Sequence, residues 1–276
     1  LIHRKWTALA GILILMTACG QENEASSNKE TESATAEETA EVVKPEEAAE
    51  STEEPAQEEP EKIKMPDPQY EINSANWSVQ PIDGAEEKVV LLTIDDAPDK
   101  HAMEMAETLK SQNIPAIFFV NGHFLDTDEE KQQLKDLHEM GFAIGNHTNS
   151  HPNLRDLTEQ QQSEEILQLN DTIEQIIGEK PKFFRAPHGA NTDFSKQLVK
   201  EQEMVLMNWT YGYDWEQQYQ NAQSLTDIMV NTEFLNNGAN LLMHDREWTS
   251  EALPEIIQGL KDKGYGFVDP ATIEGI

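Results

Sequence analysis

The sequence predicts an α/β fold, arranged as a closed or nearly closed barrel of parallel strands. Three observations carry this. Apolar runs of strand length alternate with amphipathic segments of helix length about seven times between residues 88 and 268. Strand-then-helix order joins parallel strands through helical crossovers, and about 200 residues of such repetition suits a barrel. The alternative, an open doubly wound sheet, lacks support from any GxGxxG or phosphate-binding loop.

The elements follow in order. Lys88–Ile94 is a continuous apolar run, the pattern of a strand buried on both faces. His101–Ser111 carries Met103, Ala106 and Leu109 at helical spacing. Ala116–Val120 is a second strand, Glu129–Met140 a helix closed by Gly141, and Phe142–Gly145 a short strand. Leu157–Ile177 is a long amphipathic helix stopped by Gly178. Lys182–Arg185 and Met204–Trp209 are strands around the helix Phe194–Gln202. Ala222–Leu235 is helical, Asn240–His244 a strand, Glu251–Lys263 a helix, and Gly266–Val268 a last short strand.

The first quarter reads differently. Arg4 and Lys5 precede an apolar stretch, Trp6–Ala18, too short to cross a hydrocarbon layer of ~30 Å. It ends Leu-Met-Thr-Ala-Cys, and so resembles a bacterial lipoprotein signal cleaved before Cys19, with that thiol lipidated. An ordinary signal peptide with a chance cysteine is the alternative. Cys19 is the only cysteine, so its lipidation leaves no disulfide. From Gly20 to Pro68, Glu, Ala, Ser, Thr and Pro dominate. Such a stretch buries too little apolar surface to offset its ordering entropy and reads as a disordered acidic linker, with an r.m.s. span of about 40 Å. The expected organisation is therefore a signal peptide at 1–18, a lipidated Cys19 with its linker at 19–68, and a folded domain at 69–276.

Among 276 residues the formal net charge is -32. Residues 69–276 alone hold about 36 acidic and 14 basic side chains. This surface repels phosphate backbones and argues against a nucleic-acid partner.

The strand ends carry the chemistry. In a barrel the site gathers at the carboxyl ends of the strands. Here those ends read Asp95-Asp96, then Asn146-His147-Thr148-Asn149-Ser150-His151, Arg185-Ala186-Pro187-His188-Gly189, Tyr211-Gly212-Tyr213-Asp214-Trp215, and His244-Asp245. Asp95-Asp96-Ala97-Pro98 taken alone is also good turn chemistry. His147 and His151 lie four apart, so on a helical turn both imidazoles face one way and can share a divalent ion. With a carboxylate from another strand end, the set becomes the three-ligand layout of a catalytic zinc site. His101, His123 and His138 read as surface residues. Trp209, Tyr211, Tyr213 and Tyr219 are candidates either for sugar stacking or for the core.

In this order the motifs T-I-D-D, H-T-N-S-H, R-A-P-H-G, Y-D-W and L-M-H resemble the polysaccharide deacetylases, carbohydrate esterase family four or the NodB-homology domain. The resemblance covers roughly Val89–Asp269. It implies a distorted, incomplete (β/α) barrel of about seven parallel strands. It further implies that Asp96, His147 and His151 bind a metal, zinc by default with cobalt or another divalent ion as alternatives. Asp95 matches the general base, and Arg185 the residue that orients it. His244 matches the general acid, and Asp214 the carboxylate that holds and tunes it. The backbone N–H following Pro187, that of His188, matches an oxyanion donor. Trp215 and Leu242 match the apolar walls of the acetyl pocket.

The implied reaction removes acetyl groups from an N-acetylated polysaccharide, peptidoglycan first and chitin-type chains next. An O-acetyl esterase on acetylated polysaccharide would share the site, and a non-catalytic glycan-binding lipoprotein is the reading from another class. The expected location is the outer face of the bacterial cytoplasmic membrane, facing the cell wall, with the protein a monomer. Ile94 and Ala97 stand where the family usually has Phe and Gly, His188 where many members have Tyr or Phe, and Tyr211 where an acidic residue is usual. Ala97 raises the question of whether its turn needs φ > 0, where Gly is easiest.

Overall fold

The computed structural model describes residues 67–276. The expected signal peptide, Cys19 and nearly all of the expected linker lie outside these residues. No described helix is long and apolar enough to cross a membrane.

Seven parallel strands form one curled sheet: β3 (Val89–Ala97), β4 (Ile117–Val120), β5 (Ala143–Asn146), β6 (Phe183–Phe184), β7 (Val205–Leu206), β8 (Ala239–His244) and β9 (Gly266–Phe267). The order is β7-β6-β5-β4-β3-β8, with β9 paired to the start of β3. The chain beyond β7 turns back to β8, where Tyr211 bridges Leu241 and the Leu242 N–H donates to the Tyr211 carbonyl at 2.9 Å. That bridge brings the two edges toward each other and makes the incomplete barrel. A small antiparallel pair, β1 (Tyr70–Ile72) and β2 (Val79–Pro81), precedes it and was not foreseen from sequence.

The crossovers are α1 (Ala102–Ser111), α2 (Asp128–Glu139), α3 (Glu159–Ile177), α4 (Asp193–Glu201), α5 (Ala222–Asn231) and α6 (Glu247–Asp262). Their starts follow from local chemistry. Thr127, Thr158 and Thr192 each accept from the backbone N–H three residues on, and the side chain there answers back to the cap N–H. These capping boxes satisfy donors that would otherwise be orphaned. Gly178 closes α3 at φ 85°, where a glycine meets no steric penalty. Helix bounds agree with expectation to within two residues except at two ends: α5 ends at Asn231, four residues early, and α6 begins at Glu247, four residues early.

Side-chain alternation along the strands separates two layers. Val90, Leu92 and Ile94 of β3, with Phe118, Val120, Leu241 and Met243, pack outward against the helices. Leu91, Ile117, Phe119, Phe183 and Met207 point the other way and fill the barrel floor, where Tyr70, Val79 and Ile273 cover them. Because the strand period is two, Thr93 and Asp95 continue the inward face of Leu91. Asp95 is therefore the top rung of an inward ladder whose lower rungs are apolar.

Candidate active site

The carboxyl ends of the strands surround a cleft of about 410 Å³. It is lined by Asp95, Asp96, His147, His151, His188, Trp209, Asp214, Trp215, Leu242, His244 and Arg246. Every residue to which the resemblance gives a metal, catalytic or pocket role is thus at the cleft except two. Arg185 lies buried beneath it against Asp95, and Pro187 is buried in the turn after β6.

Asp95 and Arg185 form its base. Arg185 is wholly buried and its Nη1 donates to Asp95 Oδ1 at 2.6 Å and to Thr93 Oγ1 at 2.8 Å. Its Nη2 donates to the Asn208 carbonyl at 2.8 Å, and its guanidinium lies over the Phe119 ring, 4.2 Å from the centroid. Burial pushes the Asp95 carboxyl up, and Arg185 and His244 pull it part of the way back, leaving it above the usual carboxylate range.

Asp96, His147 and His151 present ligand atoms within 4.8 Å of one another. Asp96 Oδ1 lies 3.5 Å from His151 Nε2 and 4.0 Å from His147 Nε2. His147 Nδ1 meets the Arg185 carbonyl at 2.7 Å. A carbonyl only accepts, so Nδ1 carries the proton and Nε2 keeps its lone pair for the cleft. Burial lowers the His147 pKa to about 3, which keeps the ring neutral. Burial also lowers that of His151, with Asp96 acting against it. One carboxylate and two imidazoles with free nitrogens are a donor set that fits a divalent ion.

The loop holding these imidazoles is not the helical turn expected from their spacing. Thr148 and His151 both have left-handed backbones, at φ 69° and 59°. The segment is pinned instead by side chains behind it. Asn121 Nδ2 donates to the His147 carbonyl at 2.6 Å, and the Thr148 N–H donates to Asn146 Oδ1 at 2.8 Å. Glu165 on α3 accepts from the Ser150 N–H and hydroxyl at 2.7 and 2.6 Å. Asp96 and His188 are left-handed too, at φ 59° and 58°. Each such residue costs of order 1–3 kcal/mol and persists only where its surroundings impose it. Three of the eight described non-glycine residues with left-handed backbones thus line the cleft. In the first turn the left-handed residue is Asp96, and Ala97 belongs to β3, so the absence of a glycine at 97 has no steric consequence.

Across the cleft, His244 Nδ1 meets Asp214 Oδ1 at 2.7 Å. The other Asp214 oxygen accepts from the His244 N–H at 2.6 Å and from the Thr249 hydroxyl at 2.9 Å. Nδ1 must donate to the carboxylate, so His244 Nε2 is the atom free to exchange a proton with the cleft. Burial pushes the imidazole down, but Asp214, with Asp95 and Asp96, outweighs it, and the net direction is up. Trp215 is exposed at the rim, with its ring centroid 5.6 Å from that of His244, and Trp209 stands 6.3 Å from Trp215. Tyr211 is core: its hydroxyl donates to the Met229 carbonyl at 2.8 Å. Tyr213 and Tyr219 pack against the outer core, so of the four aromatics weighed for sugar contact only Trp209 reaches the cleft.

Sequence reading missed Arg246 and the role of Asp245. Arg246 Nη2 donates to Asp96 Oδ2 at 2.8 Å. Asp245 is buried and accepts three backbone N–H groups, of Asp99, His101 and Ala102, at 2.7, 2.6 and 3.0 Å. No local signal points to these partners, which lie about 150 positions away in the chain.

The polysaccharide deacetylase family profile matches residues 83–207. The chain is 34% identical over 168 residues to the Bacillus subtilis protein YlxY, covering 60% of this chain and 51% of that one, so it spans about half the length of that relative. It is 30% identical over 209 residues to a peptidoglycan-N-acetylglucosamine deacetylase of Bacillus cereus, covering 72% of this chain and 75% of that one. The solved structure of the peptidoglycan deacetylase PdaC from Bacillus subtilis superposes with a TM-score of 0.60 at 30% identity, over 67% of this chain and 89% of that one. The matched profile stops before Asp214 and His244, yet the fold returns both to the cleft that holds Asp95, His147 and Arg185. Fold, cleft and relatives agree that the chain belongs to the polysaccharide deacetylase family.

Proposed function

We infer that the protein is a metal-dependent deacetylase that removes N-acetyl groups from a cell-wall polysaccharide, with peptidoglycan the first substrate class. One observation carries this reading. A three-donor cluster shares one cleft with a carboxylate held by a buried guanidinium, Asp95–Arg185, and an imidazole held by a buried carboxylate, His244–Asp214. An acid and a base with environments that set them apart is the arrangement amide hydrolysis requires.

Asp96, His147 and His151 would hold the ion, zinc by default. Such an ion supplies Lewis acidity toward the acyl oxygen and makes water a stronger acid. Asp95 accepts the proton of the attacking water, while Arg185 fixes its orientation. By the family resemblance the His188 backbone N–H would donate to the developing oxyanion, and Pro187 opens the short turn that carries it. His244 Nε2 donates its proton to the departing nitrogen, which would otherwise leave as a poor, unprotonated amine. Asp214 holds Nδ1–H and so keeps Nε2 directed at the cleft. Trp215 and Leu242 enclose the methyl group of the acetyl. Acetate leaves and the sugar keeps its amine.

The test is acetate release by metal-stripped protein, with and without added zinc, from peptidoglycan and from N-acetylglucosamine oligomers. Zinc-dependent release from either supports the reading, and the better substrate assigns its class. Release only from O-acetylated xylan would replace the N-deacetylase with an esterase. Zinc binding and glycan binding with no acetate from any of these would leave a binding protein.

The sequence before the domain supports a second part of the proposal: a lipid on Cys19 anchors the protein to the outer face of the cytoplasmic membrane, facing the wall. Its warrants are the basic Arg4-Lys5 pair, the short apolar run and the small residues before Cys19. Cys19→Ala should move the protein from the membrane fraction to the soluble fraction. Retention on the membrane would overturn the lipid anchor.

A further inference from the structure

The corner from β8 into α6 carries three consecutive residues: His244 and Arg246 line the cleft, and Asp245 is buried between them. The last two act on Asp96. Asp245 ties down the backbone beyond it through the N–H groups of Asp99, His101 and Ala102. The Asp245 N–H donates to the Asp95 carbonyl at 3.1 Å, just before Asp96. Arg246 takes the side chain: its Nη2 donates to Asp96 Oδ2 at 2.8 Å, while its Nη1 donates to the Asp245 carbonyl at 3.1 Å. The other oxygen, Oδ1, is the one turned to His151 and His147.

We propose that Arg246 is a positioning residue that occupies Oδ2 of Asp96 and so makes it a one-oxygen metal ligand through Oδ1. The proposal rests on the reading of Asp96, His147 and His151 as the metal site. A free carboxylate can rotate or grip an ion with both oxygens. A guanidinium fixed at both ends removes those options, and it does so at a left-handed residue whose side-chain direction is already set by its backbone.

Two effects of Arg246 on metal affinity have opposite sign. Its positive charge opposes a dication, so by charge alone its removal would tighten binding. Its hydrogen bond orders a ligand, so by positioning its removal would loosen binding. The Arg246 side chain is 36% exposed, which screens the charge effect. Loss of a group that orients a metal ligand typically weakens affinity by about 10–100-fold. The sign of the change therefore decides between the two.

The experiment measures the zinc affinity of the full chain by competition with a chromophoric chelator. It compares wild type, Arg246→Gln and Arg246→Lys, and uses His151→Ala to subtract zinc held elsewhere. Arg246→Gln is expected to bind zinc about tenfold more weakly or worse, and Arg246→Lys, which keeps one donor, to fall between it and wild type. In the cobalt-loaded protein, Arg246→Gln should show a weaker visible band, because a two-oxygen Asp96 raises the coordination number. Affinity in Arg246→Gln equal to or tighter than wild type overturns the proposal. Should that variant not fold, Arg246→Lys decides alone: weaker than wild type supports the proposal, equal or tighter overturns it. Wild type binding no more zinc than His151→Ala would overturn the metal reading itself, a result distinct from either.

Discussion

His244 is held between opposing effects. Burial favours its neutral ring, while Asp214 at 2.7 Å, helped by Asp95 and Asp96, favours the imidazolium, and the carboxylates prevail. The raised pKa keeps a general acid protonated to higher pH than a free histidine would allow. In Asp214→Asn the main raising influence is gone and burial remains, so the imidazole should lose its proton at lower pH. The alkaline limb of the pH profile of kcat/KM should then move to lower pH, with turnover at neutral pH down by a factor on the order of 10² or more. A lower rate with an unmoved limb would mean that Asp214 acts only as a clamp, through its bonds to the His244 N–H and Thr249. Asp95→Asn tests the other side of the cleft. It should abolish acetate release, by about 10²–10⁴-fold, while zinc affinity is retained; persistent turnover would remove Asp95 from the role of base. Asp95 and His244 were legible in the sequence because each sits at the end of an apolar run, where a charge has no structural reason to recur, and Asp214 because of its Y-D-W motif. Arg246 was not, because its meaning lies in a partner at the end of another strand, and a lone arginine at a helix start reads as solvated surface.

The elements show where one-dimensional pattern suffices and where it fails. All seven parallel strands were visible as short apolar runs, six of them with an α-helix after them. The run Met204–Trp209, however, keeps strand pairing to β6 only at Val205–Leu206, and the chain then leaves to meet β8. Gly212 permits that meeting. A Cβ there would stand 2.4 Å from the Leu242 carbonyl oxygen and 2.8 Å from the Trp215 ring. Gly212→Ala must push the β7-side segment off β8, and overpacking of this kind costs roughly 1–3 kcal/mol. For a domain of this size the melting temperature should fall by about 2–4 °C per kcal/mol. Leu242 and Trp215 are also cleft walls, so the KM for glycan should rise; a variant with wild-type melting and kinetics would show that this closure is slack. The β1–β2 hairpin escaped the sequence because Tyr70–Ile72 and Val79–Pro81 are three residues each and carry no period. The two-histidine spacing misled for a related reason: four residues can place two imidazoles together on a helical turn, or through two left-handed residues as here, and spacing does not distinguish them.

At the scale of the whole molecule, the three donors couple the ion to folding. Asp96 comes from the end of β3, His147 from the end of β5 and His151 from the loop beyond it, and these positions converge only when β3, β4 and β5 pair in register. An unfolded chain offers no such site, so metal binds the native state and adds RT ln(1 + [L]/Kd) to its stability, about 2.7 kcal/mol at a hundredfold excess over Kd. Removing the ion with a chelator should then lower the melting temperature by about 5–10 °C at the slope for a domain of this size, and restoring zinc should recover it. The stabilisation should fall with pH as the ligands are asked to take up protons, although burial delays this for His147, whose pKa near 3 keeps it neutral well below pH 7. The comparison with His151→Ala isolates the effect, since that variant retains the strands but loses one of the three donors. Zinc should raise its melting temperature by far less than it raises that of wild type. An equal rise in both would mean that the stabilising ion binds elsewhere on this strongly acidic chain, and the link between the strand ends and the metal would be lost.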